Sequence, residues 1–100
     1  MLASWYCLEG QTKANGQKMH CQELTVANNT LALGTRLKLT RGSHSIEVVV
    51  DDRGPFISPR TLDTSLGVAK LLDFEREGVA CLWVSRVESQ PVGPRQTPPE

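Results

Sequence analysis

The sequence predicts a small, mostly antiparallel β-barrel with one short helix. Three observations predict it. Short β-branched or alternating runs recur along the chain, each bounded by Gly, Pro or Asn. One stretch, about residues 65–72, carries both an N-cap candidate and an apolar face of helical spacing. The hydrophobic fraction of 39% in 100 residues suits one domain with a modest core.

The first strand is read at Leu2–Cys7. Side chains alternate across a strand, so Trp5 and Tyr6 fall on opposite faces, one for the core and one for a surface. Leu8–Lys18 is a polar loop with the turn signal Asn15-Gly16, and it lacks the pattern of a phosphate-cradling loop. Gln22–Thr25 is short and β-compatible, and Asn28-Asn29-Thr30 interrupts it. Thr35–Thr40 alternates polar with apolar and is the clearest half-buried strand. Arg41-Gly42-Ser43-His44 turns it into the run Ile46–Val50, which reads as buried on most of its length.

That run ends in Asp51-Asp52-Arg53-Gly54-Pro55-Phe56. Pro55 gives no N–H to a ladder, and Gly54 permits a tight bend. The strand therefore delivers two carboxylates to its own end, on opposite faces, where they do not share a proton. Pro59–Ser65 leads into the helix, with Ser65 as N-cap. Gly67 weakens that helix, and its expected use is close packing against a sheet. Val79–Val87 is the last strand, with Val79, Cys81 and Trp83 on one face. Residues 1–88 thus form one domain, and 89–100 a Pro-rich disordered tail or linker.

Eleven basic and eleven acidic residues leave zero net charge and no basic block, so no nucleic-acid partner is expected. No apolar run approaches the ~18 residues of a membrane span. Strand-like sequence follows Met1 directly, so no signal peptide is expected in this chain. No metal or cofactor is expected, since there is no Cys-x-x-Cys and the two histidines are scattered. Of the three cysteines, Cys7 and Cys21 either form a disulfide in an oxidising compartment or, with Cys81, serve as small buried hydrophobes.

A family resemblance joins these pieces. Ala3-Ser4-Trp5-Tyr6, Thr12-x-Ala14-Asn15-Gly16 and Leu24-Thr25-x-Ala27-x-x-Thr30-Leu31-x-x-Gly34-Thr35 resemble the rare lipoprotein A (RlpA-like) family. So do Val48-Val49-Val50-x-Asp52-Arg53-Gly54-Pro55-Phe56 and Arg60-x-x-Asp63-x-Ser65, in the family's order and spacing. The resemblance implies a six-stranded double-psi β-barrel, similar to expansins, in the periplasm or cell envelope. It implies peptidoglycan glycan strands as partner and lytic transglycosylase activity, with Asp52 as the key acid/base.

By the same resemblance Asp63 matches an acidic groove position, or else holds the loop before the helix. Gln17 stands where the family usually has Glu, and Asn28 where it usually has His. Both amides still hydrogen-bond a sugar, but neither exchanges a proton near neutral pH. His20 lies near this loop and reads as a surface histidine. The alternative function is a non-catalytic polysaccharide-binding module, with Trp5 or Tyr6 stacking on sugars and Gln17, Asn28 and Asp63 positioning them.

Overall fold

A computed structural model describes residues 1–87. The expected tail at 89–100 lies outside the described residues. Seven strands and one helix follow in the order β1 (Leu2–Tyr6), β2 (Thr25–Ala27), β3 (Arg36–Arg41), β4 (His44–Asp52), β5 (Leu62–Ser65), α1 (Leu66–Leu71), β6 (Val79–Cys81) and β7 (Trp83–Arg86). They form one mixed sheet of order β6-β1-β5-β2-β4-β3-β7. The pairs β1–β5 and β2–β4 are parallel and the other four antiparallel.

The expectation of six strands in a closed barrel is corrected here to seven in an open order. The predicted last strand is two, because it changes partner at Leu82: β6 pairs with β1 and β7 with β3. No ladder joins β6 to β7 among the described residues, and Leu82 alone connects these two ends of the order. Leu82 N–H donates to the Met1 carbonyl at 2.8 Å, and its side chain is buried.

β5 was expected to be a loop. Its residues Leu62-Asp63-Thr64-Ser65 are poor in β-branched groups, yet they sit between β1 and β2 with Leu62 and Thr64 fully buried. Pairing on both sides overrides local propensity. β2 lies at 25–27 rather than 22–25, for the same reason: its ladders to β4 and β5 fix its place. β4 is also less buried than expected. Val48 and Val50 point into the core, but Val49 is exposed, so the strand alternates.

The hairpin at Arg41–His44 and the helix hold as read. Ser65 Oγ accepts from Val68 N at 3.3 Å and caps the helix. Arg41 Nη1 donates to the carbonyls of Leu72 and Asp73 at 2.9 and 2.6 Å, which satisfies the other end. Val68, Ala69 and Leu72 face Leu39, Leu62 and Phe74 in the core. Cys7 and Cys21 form a disulfide with Cα atoms 5.2 Å apart, and Cys81 is free and exposed.

Gly67 does pack closely, but against the disulfide segment rather than the sheet. Its N–H donates to the Cys21 carbonyl at 2.8 Å, and a Cβ there would lie 2.5 Å from the Gln22 carbonyl oxygen. Gly67→Ala gains helix propensity but forces backbone apart. The expected net effect is a loss of about 1–3 kcal/mol, read as a lower urea midpoint.

Candidate active site

The C-terminal end of β4 meets β1, β5 and the 54–60 loop in a cleft of about 310 Å³. Tyr6, Asp52, Arg53, Arg60 and Asp63 are its polar lining, and Leu8, Phe56 and Ile57 its apolar rim. Phe56 is 83% exposed, so the rim faces solvent.

Asp52 is held from three sides. Its Oδ1 accepts from the Ala14 N–H at 2.8 Å and from its own neighbour, the Arg53 N–H, at 2.9 Å. Its Oδ2 accepts from the Tyr6 hydroxyl at 2.9 Å. Burial, then the contact with Asp52, pushes the Tyr6 phenol far above its ordinary value, so it keeps its proton at any working pH.

Asp51 is the extra residue where the β2–β4 register slips from Val26–Val50 to Ala27–Asp52, and it has a different partner. It is 6% exposed and meets Lys13 Nζ, itself 5% exposed, at 2.5 Å. Burial pushes Asp51 up, and the Lys13 ammonium opposes it. Asp51 Oδ1 has no partner. Arg53 lines the cleft wall, and its Nη1 is held by the carbonyls of Asn28 and Leu31 at 2.8 and 2.6 Å.

Asp63 lies opposite Ser4 in the parallel β1–β5 register and accepts from Ser4 Oγ at 2.9 Å. Burial raises its pKa above the ordinary carboxylate value, against the Ser4 hydrogen bond and Arg60. The folded state therefore keeps this proton to higher pH than the unfolded state. Stability falls as pH rises from the ordinary aspartate range through the raised value, and stays lower above it. Asp63→Asn keeps an acceptor for Ser4 and removes the buried charge. Its urea midpoint is expected to match the parent's in acid below about pH 3 and to exceed it at neutral pH.

The other expected site residues lie elsewhere. Trp5 packs against the core, and its indole N–H donates to the Glu75 carbonyl at 3.0 Å. Gln17 is exposed on the first loop, where its side-chain oxygen accepts from Asn15 at 3.3 Å. Asn28 is 3% exposed. Its Nδ2 donates to the Thr61 carbonyl at 2.8 Å, and its Oδ1 accepts from the N–H groups of Thr30 and Leu31. It borders a neighbouring cavity with Asn29, Arg60 and Thr61. His20 is exposed and pairs with Glu9 at 3.1 Å.

Sequence reasoning missed Lys13, the Ala14 N–H, Arg60 and Asn29. Asn29 braces the cleft wall: its Oδ1 accepts from Gly54 N at 2.8 Å and its Nδ2 donates to the Pro55 carbonyl at 2.7 Å. Gly54 has φ +135°, which disfavours a side chain there. An Asn-Asn pair beside a β-strand was the available signal for this wall. Nothing local marks a lysine in a polar loop as buried.

A mixed sheet with a carboxylate cleft at its strand ends defines the class: a small, mainly β domain with one short helix. The family model described as "Lytic transglycolase" matches residues 1–82, and the chain belongs to that family. A probable endolytic peptidoglycan transglycosylase RlpA from Synechocystis sp. is 40% identical over 82 residues, 78% of this chain and 26% of that protein. The endolytic peptidoglycan transglycosylase RlpA of Pseudomonas aeruginosa is 37% identical over 90 residues, 86% of this chain and 26% of that protein. The chain thus spans about a quarter of the length of these curated relatives. Two solved structures share the fold. The Streptomyces papain inhibitor superposes with a TM-score of 0.67 at 21% identity, over 87% of this chain and 91% of that one. Cerato-platanin 3 from M. perniciosa does so with 0.63 at 13% identity, over 87% and 93%.

Proposed function

We propose that this domain cleaves peptidoglycan glycan strands as a lytic transglycosylase in the cell envelope, on a double-psi barrel scaffold of residues 1–88. The observation that carries the reading is the fixed Asp52 carboxylate in an open cleft, within a chain of this family. The Cys7–Cys21 disulfide suits an oxidising compartment. No helix among the described residues is long and apolar enough to cross a membrane.

The geometry suggests how one carboxyl group serves twice. Oδ1 is occupied by two N–H donors, so the transferable proton belongs on Oδ2. There the Tyr6 hydroxyl rotates to accept while Asp52 is protonated, and donates once it is not. Asp52 gives the proton to the glycosidic oxygen, and the C1–O bond breaks. The carboxylate then takes the proton of the same sugar's 6-hydroxyl, whose oxygen bonds to C1. The products are a freed chain end and a 1,6-anhydro sugar, with Asp52 reprotonated and no water consumed.

Tyr6→Phe removes the donor that meets the carboxylate as it forms. A charge-assisted hydrogen bond is worth about 1.5–3 kcal/mol, so turnover is expected to fall about 10- to 150-fold with little change in binding. The test of the function is digestion of purified sacculi, intact and stripped of stem peptides, with mass spectrometry of soluble products. Products ending in 1,6-anhydro sugars support the proposal. Reducing ends would indicate a hydrolase using two carboxyl groups, with Asp63 as the second.

The binding-module alternative draws on Gln17 and Asn28, amides that cannot exchange a proton near neutral pH. No products, with the protein retained on the sacculi, would favour it.

A further inference from the structure

We propose that Lys13 and Asp51 are a positioning pair for Asp52: their buried contact sets the first loop on β4 so that the Ala14 N–H meets the Asp52 carboxylate. The proposal deepens the reading of Asp52 as the acid and rests on it. Lys13 and Ala14 are consecutive in the loop, as Asp51 and Asp52 are in β4. Lys13 Nζ meets Asp51 Oδ2 at 2.5 Å, and Ala14 N meets Asp52 Oδ1 at 2.8 Å. One contact is one residue from the other on both segments, so a slip of the loop breaks both together.

The loop behaves as one piece. The Thr12–Lys18 bridge, Lys13 N–H to the Gln17 carbonyl at 2.8 Å and Gly16 N–H to the Lys13 carbonyl at 2.9 Å close it on itself. Its base is tied by the Cys7–Cys21 disulfide. Something must then fix its placement on β4, and the Lys13–Asp51 contact is suited to that. A buried ion pair adds little stability over a well-packed apolar pair, and its best-attested use is to specify register. The pair also sets a cation on the carboxylate next to Asp52. The other charged or titratable groups facing the site are Tyr6 from β1, Asp63 from β5, Arg53 and Arg60 on the cleft wall, and Glu23, 3.9 Å from Lys13 Nζ.

The test uses two double variants of the whole chain. Lys13→Met with Asp51→Leu replaces the pair by apolar groups that fold but specify no register. Lys13→Gln with Asp51→Asn keeps a hydrogen bond between neutral groups. The Ala14 amide proton, followed by NMR against pH, is expected to shift with the ionisation of Asp52 in the parent and to lose that step in Asp52→Asn. The apolar variant should lose the step, and the amide variant should keep it. On soluble glycan fragments the apolar variant should lose about tenfold to a hundredfold in kcat with KM unchanged. Survival of the Ala14 step in the apolar variant, or its loss in both variants, would overturn the proposal. If the parent cleaves no glycan, the transglycosylase reading falls while the Ala14 result still decides the positioning claim.

Discussion

Lys13→Met is expected to lower the unfolding free energy by about 3–5 kcal/mol. The reason is what it leaves behind. Asp51 is 6% exposed, and one of its oxygens already lacks a partner. Removing the ammonium leaves the carboxylate with no hydrogen bond and no counter-charge, and Glu23, 3.9 Å from Lys13 Nζ, loses an attraction too. A domain of this size has only about 5–15 kcal/mol in total, so the variant should be marginal at room temperature. Adding Asp51→Leu should recover most of the loss, because the uncompensated charge is then gone. Urea unfolding of the parent, the single and the double variant checks this. A single variant as stable as the parent would mean that the pair is solvated in solution.

Asp52→Asn is expected to leave stability nearly unchanged and to abolish release of anhydro products, a loss of at least about 10²- to 10⁴-fold. Asn keeps an oxygen for the N–H groups of Ala14 and Arg53, so the strand end stays in place. Its amide cannot hold or pass a proton at the atom that faces Tyr6. The variant should still sediment with sacculi. Residual cleavage within tenfold of the parent would remove Asp52 from the chemistry and point to Asp63. Loss of both cleavage and folding would leave Tyr6→Phe as the cleaner probe of the same atom.

Much of this was legible in the sequence. The two carboxylates at the end of β4 stand out in the sequence; the structure buries Asp51 against Lys13 and sets Asp52 in the cleft, at an irregularity of the β2–β4 ladder that the sequence does not show. Ser65 as N-cap and the 41–44 hairpin follow from local chemistry, which acts over a few residues. The misses share a physical cause. β5 exists because β1 and β2 flank it, not because Leu-Asp-Thr-Ser favours a strand. Lys13 is buried because a carboxylate 38 residues away waits for it. Asn28, read as a sugar contact, spends its amide on the turn at 28–31, and only the fold reveals that the turn needs it. Trp5 was one of two candidates for a surface role, and the structure keeps Tyr6 at the cleft.

The junction at Leu82 has a mechanical side. In an ordinary open sheet the two margins are free to fray separately. Here the marginal strands β6 and β7 are consecutive, and one buried residue is their hinge pin. Peeling either margin as far as this junction draws Leu82 out of the interior. The two margins are therefore tied by covalent continuity, with no ladder of hydrogen bonds between them among the described residues.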